Sequence, residues 1–152
     1  MNIYKSYLIQ NYLYSTFGKC GGVLAKILKS LNRIFFAADI SYKAKIGDNC
    51  EFPHIGLGVV IGDGVIIGCN CIIRQNVTIG GKGISYIYGF PSIGDNCMIG
   101  AGAVIIGDIH LGNNVTVGAN SVVTKSFPDN CVIAGVPAKI IKMNVSVNDN
   151  QK

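Results

Sequence analysis

A chain of 152 residues that is 49% hydrophobic but only 14% charged has the length of one domain and enough apolar content for a sizeable core. Its formal charge of +5 comes with no basic run and no basic-aromatic motif, which argues against nucleic acid and leaves a small polyanionic ligand as the more fitting partner. Six cysteines without a CxxC and without a cleavable signal read as free thiols of a reducing compartment, and no apolar run reaches the roughly 18 residues of a membrane-spanning helix.

The first 36 residues differ in texture from the rest. An aromatic-rich stretch, Tyr4 to Phe17, is followed by "GKCGG" (Gly18 to Gly22), which separates it from a second helical pattern. In that pattern Val23, Leu24, Ile27, Leu28, Leu31, Ile34 and Phe35 recur at helical spacing, while Lys26, Lys29 and Arg33 fall largely off the stripe. Two short helices are expected, packed through the stripe on the domain or on a neighbouring subunit. Contact with a membrane surface is the alternative use of the same face.

Beyond Ile40 the apolar step becomes six. Ile40, Ile46 and Phe52 keep it, then Ile61, Ile67, Ile73 and Ile79, then Ile93, Ile99, Ile105, Leu111, Val117 and Val123. A glycine usually follows, and four positions after the aliphatic sits a small or β-branched residue, as at Ala44, Cys50, Cys71 and Cys97. Short extended rungs joined by turns bend such a chain, three hexapeptides close a triangular coil of eighteen residues, and the coils stack with their aliphatics inward. The predicted fold is an all-β solenoid, with glycines and asparagines in the turns. Packing then accounts for Cys50, Cys71 and Cys97 at the small-residue position and for Cys69 in a turn.

Two places break the period. Phe52 to Ile61 is nine residues, three too many, around "PHIGLG"; Ile79 to Ile93 is fourteen, eight too many, within "GGKGISYIYGFPS". Irregular loops on a rigid scaffold are where sites sit. The first holds His54, one of two histidines in the chain. The other, His110, lies on a regular coil and is assigned no role.

The repeat "IGDGVIIGCNCIIRQNVTIGG", the interrupting loop and the ending "VGANSVVTKSFPDNCVIAGVPAKIIK" together resemble the hexapeptide-repeat acyltransferases, which are left-handed parallel β-helices, and within them the serine acetyltransferase-like branch that includes sugar O-acetyltransferases. The resemblance covers about Ala38 to Lys142. It implies a left-handed β-helix domain over 37–142, preceded by a helical segment over 1–36 and followed by a flexible tail over 143–152. It also implies acetyl-CoA as donor, homotrimers with active sites between subunits, and no metal. The expected location is cytoplasmic or peripheral to the inner membrane.

"ADISYKAKIG" and "FPH" stand where serine acetyltransferases carry their catalytic Asp and His, so the resemblance places those roles on Asp39 and His54. Fifteen residues are nearly one coil, which would bring the two together. His54 would be the general base on an acceptor hydroxyl and Asp39 would orient the imidazole. Backbone amides near Gly80 and Gly81 would face the oxyanion. Carried over from related sugar acetyltransferases, the coenzyme A contacts fall on Ala101, Ala119, Thr124, Lys125, Lys139 and Lys142: small residues for the pantetheine arm, lysines for the phosphates.

The match fails where serine would be held. An Arg-His pair before the loop-closing Pro is Gly89 and Phe90 here, and the Asp before the catalytic His is Pro53. The expectation is therefore a sugar or glycan hydroxyl in bacterial surface polysaccharide synthesis, with Tyr86, Tyr88 and Phe90 stacking on the ring. Serine O-acetylation for cysteine synthesis and a non-catalytic scaffold are the alternatives. A β-helical zinc hydratase needs three histidine ligands and finds two.

Overall fold

The computed structural model describes residues 3–83 and 89–144. Helix α1 (Ile3–Phe36) leads into strands of two to six residues. A first sheet holds β1 (Asp39–Ile40), β3 (Val60–Ile61), β6 (Thr78–Gly80), β9 (Val104–Ile106) and β12 (Val122–Val123) in that order. A second holds β2 (Lys45–Ile46), β4 (Ile66–Ile67), β7 (Ser92–Ile93) and β10 (His110–Leu111). The third runs β5 (Ile72–Ile73), β8 (Met98–Ile99), β11 (Thr116–Val117) and β13 (Cys131–Gly135), and β14 (Ala138–Met143) closes it antiparallel. All other strand pairs are parallel, and the chain visits the sheets in turn, so each sheet is one wall of a three-sided coil.

Register accounts for both breaks in the period. Val60 pairs with Thr78 and Val104 with Val122, eighteen residues apart. Asp39 pairs with Val60, twenty-one apart, and Thr78 with Val104, twenty-six apart. The surplus of three and of eight is looped out, and the ladder resumes unshifted. Inside, Ile61, Ile79, Ile105 and Val123 stack in one column and Ile73, Ile99, Val117 and Ile133 in another, all essentially inaccessible to water. Along one inner edge Cys50, Cys71 and Cys97 each donate a thiol hydrogen bond at 3.2 Å to a glycine carbonyl of the next coil, Gly68, Gly94 and Gly112. The small-residue position thus satisfies a turn carbonyl as well as filling space.

The turn assignment needs one correction. Left-handed backbone in the turns falls on the asparagines Asn49, Asn70, Asn76, Asn96, Asn114, Asn120 and Asn130 and on Gly58 and Gly102, and none of the glycines that directly follow an inward aliphatic has positive φ. Those glycines are needed for close approach instead: a Cβ on Gly47 would stand 2.7 Å from the Gly68 carbonyl carbon, and one on Gly100 would stand 2.6 Å from the Ala119 nitrogen.

The helical segment is kinked at Gly18 (φ 52, ψ −126) into two arms. They pack through small and polar residues, with Ser6 Oγ donating to Asn32 Oδ1 at 2.9 Å, and a Cβ on Gly21 would collide with the Leu13 carbonyl. The first arm lies across the open end of the solenoid. Tyr4 and Tyr7 donate to the carbonyls of Gly47 (2.7 Å) and Ala44 (2.8 Å), Tyr7 Oη accepts from Ile46 N (3.1 Å), and Asn11 donates to Tyr42 O (2.9 Å). These side chains satisfy backbone groups that the missing coil below would have paired.

The apolar stripe of the second arm does not pack on the domain as expected. Val23, Leu24, Ile27 and Leu31 are exposed, and Ile34 and Phe35 are 76% and 71% accessible. The net positive charge lies in the same segment: up to Ala38 the chain has Lys5, Lys19, Lys26, Lys29 and Arg33 and no acid, and the remainder is balanced. No helix among the described residues is long and apolar enough to cross a membrane.

Tyr7 is 2% exposed and serves two backbone groups at once. Tyr7→Phe leaves both without a partner and is expected to cost about 1–3 kcal/mol. The measurement is the urea midpoint; an unchanged midpoint would show that the helical cap contributes nothing through this hydroxyl.

Candidate active site

Three extra residues in the first coil emerge at the vertex between the third and first sheets. There the chain makes one tight turn, Pro53–Gly56, with His54 (φ 55, ψ 36) and Ile55 (φ 56, ψ 18) both left-handed. Non-glycine residues held in this region cost about 1–3 kcal/mol each, and a β-branched one is a true outlier. Gly56 (φ 74) also has to be glycine, because a Cβ would stand 2.7 Å from Ile3 Cγ2 of the helical cap. The strained turn is therefore clamped from both sides, and it presents His54 to solvent.

Above it, coil by coil, the same vertex carries Gln75 and Asn76, then Ala101 and Gly102, then Ala119 and Asn120. Their backbones are joined by Asn76 N to Leu57 O (2.8 Å), Gly102 N to Gln75 O (3.0 Å) and Asn120 N to Ala101 O (2.8 Å). The structure thus brings Ala101 and Ala119 into line with His54. Gly80, Gly81, Thr124 and Lys125 gather at the next vertex, across the first sheet. Gly80 differs from the other repeat glycines, because a Cβ there meets nothing within 4 Å, which leaves room for a ligand against the backbone. Lys125 Nζ sits 5.5 Å from the Phe127 ring centroid. Lys139 and Lys142 lie exposed on β14, on the third sheet.

Asp39, on β1, and His54, in the turn before β3, are not hydrogen-bonded to each other. The coil containing them has twenty-one residues, so fifteen falls six short of a full turn. The Asp39 carboxylate faces α1. Lys29 Nζ is 2.8 Å from Oδ1, and Arg33 pairs with Oδ2. Burial pushes the Asp39 pKa up, but the hydrogen bonds and charges of Lys29 and Arg33 outweigh it and hold the carboxyl below its ordinary value. These two cations lie off the apolar stripe, and only the fold shows what they meet.

Phe90 is half-buried. Its ring lies over Gly62, Gly64 and Gly81, so close that a Cβ on Gly64 would be 2.2 Å from it. Tyr86 and Tyr88 lie outside the described residues. His110 has a structural environment, its Nδ1 2.9 Å from Ser92 Oγ and its backbone N donating to Ser126 Oγ at 2.9 Å.

This architecture is that of a hexapeptide-repeat β-helix with a histidine-bearing insertion. Residues 90–125 match the family described as bacterial transferase hexapeptide (six repeats). The chain is 38% identical over 119 residues to the serine acetyltransferase of Synechococcus elongatus, covering 78% of this chain and 48% of that protein. It is 41% identical over 139 residues to that of Staphylococcus xylosus, covering 91% and 62%. The serine acetyltransferase of Brucella abortus in complex with coenzyme A superposes with a TM-score of 0.85 at 34% identity, over 93% of this chain and 55% of that one. The chain carries the bacterial transferase hexapeptide repeat, its fold is the left-handed β-helix, and over most of its length it is similar to the serine acetyltransferase-like branch. It spans about half to three-fifths of the length of these relatives.

The sugar acceptor is overturned by these comparisons, since the relatives matching most of the chain are serine acetyltransferases. Part of the physical reason is visible. The Phe90 ring expected to stack on a sugar is applied to the chain's own glycines.

The ion pairs on Asp39 carry a pH signature. A carboxyl with a lowered folded pKa contributes stability above its unfolded value of about 3.9 and loses it as pH falls through the folded one. The difference in urea midpoint between the wild-type chain and Asp39→Asn should be constant above about pH 5 and vanish in acid. A difference independent of pH would overturn this reading of the pair.

Proposed function

We propose that this chain is an acetyl-CoA-dependent acyltransferase that acetylates the side-chain hydroxyl of L-serine. The observation that carries this is the placement of His54: the insertion that breaks the repeat holds a solvent-facing histidine in strained backbone, within a chain about 40% identical to serine acetyltransferases. The imidazole removes the hydroxyl proton, and the serine oxygen attacks the thioester carbonyl. The tetrahedral intermediate collapses with C–S cleavage, and the imidazolium returns its proton to the leaving thiolate, giving O-acetylserine and coenzyme A. Asp39 is proposed to orient the imidazole. Gly80 offers uncluttered backbone to the acyl group, while Gly81 beside it is covered by the Phe90 ring. Ala101 and Ala119 leave room for the pantetheine arm, and Thr124, Lys125, Lys139 and Lys142 are the proposed polar and cationic contacts to the nucleotide end.

The assembly is proposed to be a homotrimer with sites between subunits. The uncovered stripe from Val23 to Phe35 supports it, because that face asks for a partner. The concentration of all net charge in the first 38 residues favours a second use, contact with an anionic membrane surface. Light scattering on the wild type and on Ile27→Asp separates them. Loss of the trimer in the variant marks a subunit contact; a wild type that is trimeric either way but binds anionic vesicles only with Ile27 intact marks a lipid contact.

The chemical test is release of the coenzyme A thiol from acetyl-CoA on addition of L-serine. His54→Asn is the fitting variant, because Asn tolerates left-handed backbone better than Ala does. It should lower kcat/KM by about a hundredfold or more with the fold intact. No serine-dependent thiol release by the wild type would sink the proposed reaction, and activity in His54→Asn within a few-fold of wild type would remove the base from His54.

A further inference from the structure

The vertex that holds His54 is lined from the coil above it as well as from its own turn. Glu51 bridges Ile72, with Glu51 N donating to Cys71 O (2.8 Å) and Ile73 N to Glu51 O (2.9 Å). The ladder rejoins where Asn76 N donates to Leu57 O at 2.8 Å, and Val60 then pairs with Thr78. Residues 52–59 therefore face the shorter run 73–77, and the surplus loops out at His54–Gly56. Two residues on from the bridge, Arg74 stands one coil above Pro53, with Gln75 beside it.

Both side chains carry a polar group without a partner among the described residues. Arg74 is exposed, and among the described residues its guanidinium has no ion pair. Gln75 Oε1 is buried with no hydrogen-bond partner, and such an orphan acceptor costs about 1–3 kcal/mol until a donor reaches it. The other cations near this vertex, Lys29 and Arg33, are taken up by Asp39. Neither Pro53 nor the Gly89-Phe90 pair supplies a charge. A guanidinium without an ion pair and an unpartnered amide oxygen, carried by consecutive residues, are the two chemistries a zwitterion calls for, with the carboxylate on the first and the ammonium on the second.

We propose that Arg74 holds the acceptor's carboxylate and Gln75 Oε1 its ammonium, so that this pair, one coil above His54, sets the specificity for an α-amino acid whose hydroxyl faces the base. The assignment rests on the serine reading above.

Steady-state rates with L-serine, L-serinamide and 3-hydroxypropionate test it, because the amide lacks the carboxylate and the hydroxy acid lacks the ammonium. Arg74→Gln should raise KM for L-serine at least about tenfold, leave KM for acetyl-CoA and the rate with serinamide within about twofold, and so collapse the preference for serine over serinamide. Arg74→Lys should restore part of that preference, and Gln75→Leu should erode discrimination against 3-hydroxypropionate. Circular dichroism and trimer size serve as folding controls. If Arg74→Gln keeps the wild-type ratio of serine to serinamide, Arg74 is not the anchor and the serine reaction stands without it. If the wild type acetylates no serine, both fall together.

Discussion

The structure depends on how closely one coil can lie on the next. A rung of two residues has no stability of its own, so it exists only while its backbone is hydrogen-bonded to the rungs on either side and its aliphatic is pressed into the column. That distance is set at the corners, where a glycine usually follows the inward aliphatic and where a Cβ on Gly47, Gly68, Gly94, Gly100 or Gly112 would strike the neighbouring coil. The same constraint leaves the first coil with a face that nothing repeats beneath. The tyrosines and Asn11 of α1 cover it, each with an apolar body against the end of the core and a polar tip on a backbone group.

A closed coil also dictates where extra residues go. They cannot be absorbed in a wall without shifting every inward side chain above them, so they are expelled at a vertex and the register resumes. Three surplus residues produce the turn at His54, and eight produce the loop that ends at Phe90. Because intact coil lies above the first of these and the helical cap lies below it, the turn tolerates two consecutive left-handed residues that a free loop would relax.

The period of six was legible in the sequence because burial alternates with fixed geometry, and the two departures from it located both loops. What the period could not show is what lies one coil away. Glycines that follow an aliphatic, read as turn formers, prove to be contact residues, with the left-handed turn positions falling to asparagines and to Gly58 and Gly102. The period also could not say which of its possible partners the stripe Val23 to Phe35 meets: within the chain the arms of α1 meet through Gly21, Ala25 and Asn32, so the larger residues do not pack on the domain. The acceptor was misread for the same reason. Missing charges at Pro53, Gly89 and Phe90 suggested an uncharged acceptor, yet a vertex in a solenoid is furnished by neighbouring coils, and Arg74 is twenty residues from His54 in the chain while belonging to the same corner.

Asp39 joins these levels. Its carboxylate holds the second arm of α1 through Lys29 and Arg33, and the same residue is the proposed partner of His54. The two duties do not compete outright. A carboxylate has about four acceptor positions, and two cations leave capacity for an imidazole N–H. The cations also keep the group ionised as burial works against them, and ionisation is what an orienting carboxylate requires. In this arrangement the helical cap and the proposed site are mechanically one unit: the first arm of α1 closes the end of the solenoid, and the second sets the charge and direction of the carboxylate proposed to stand behind the base.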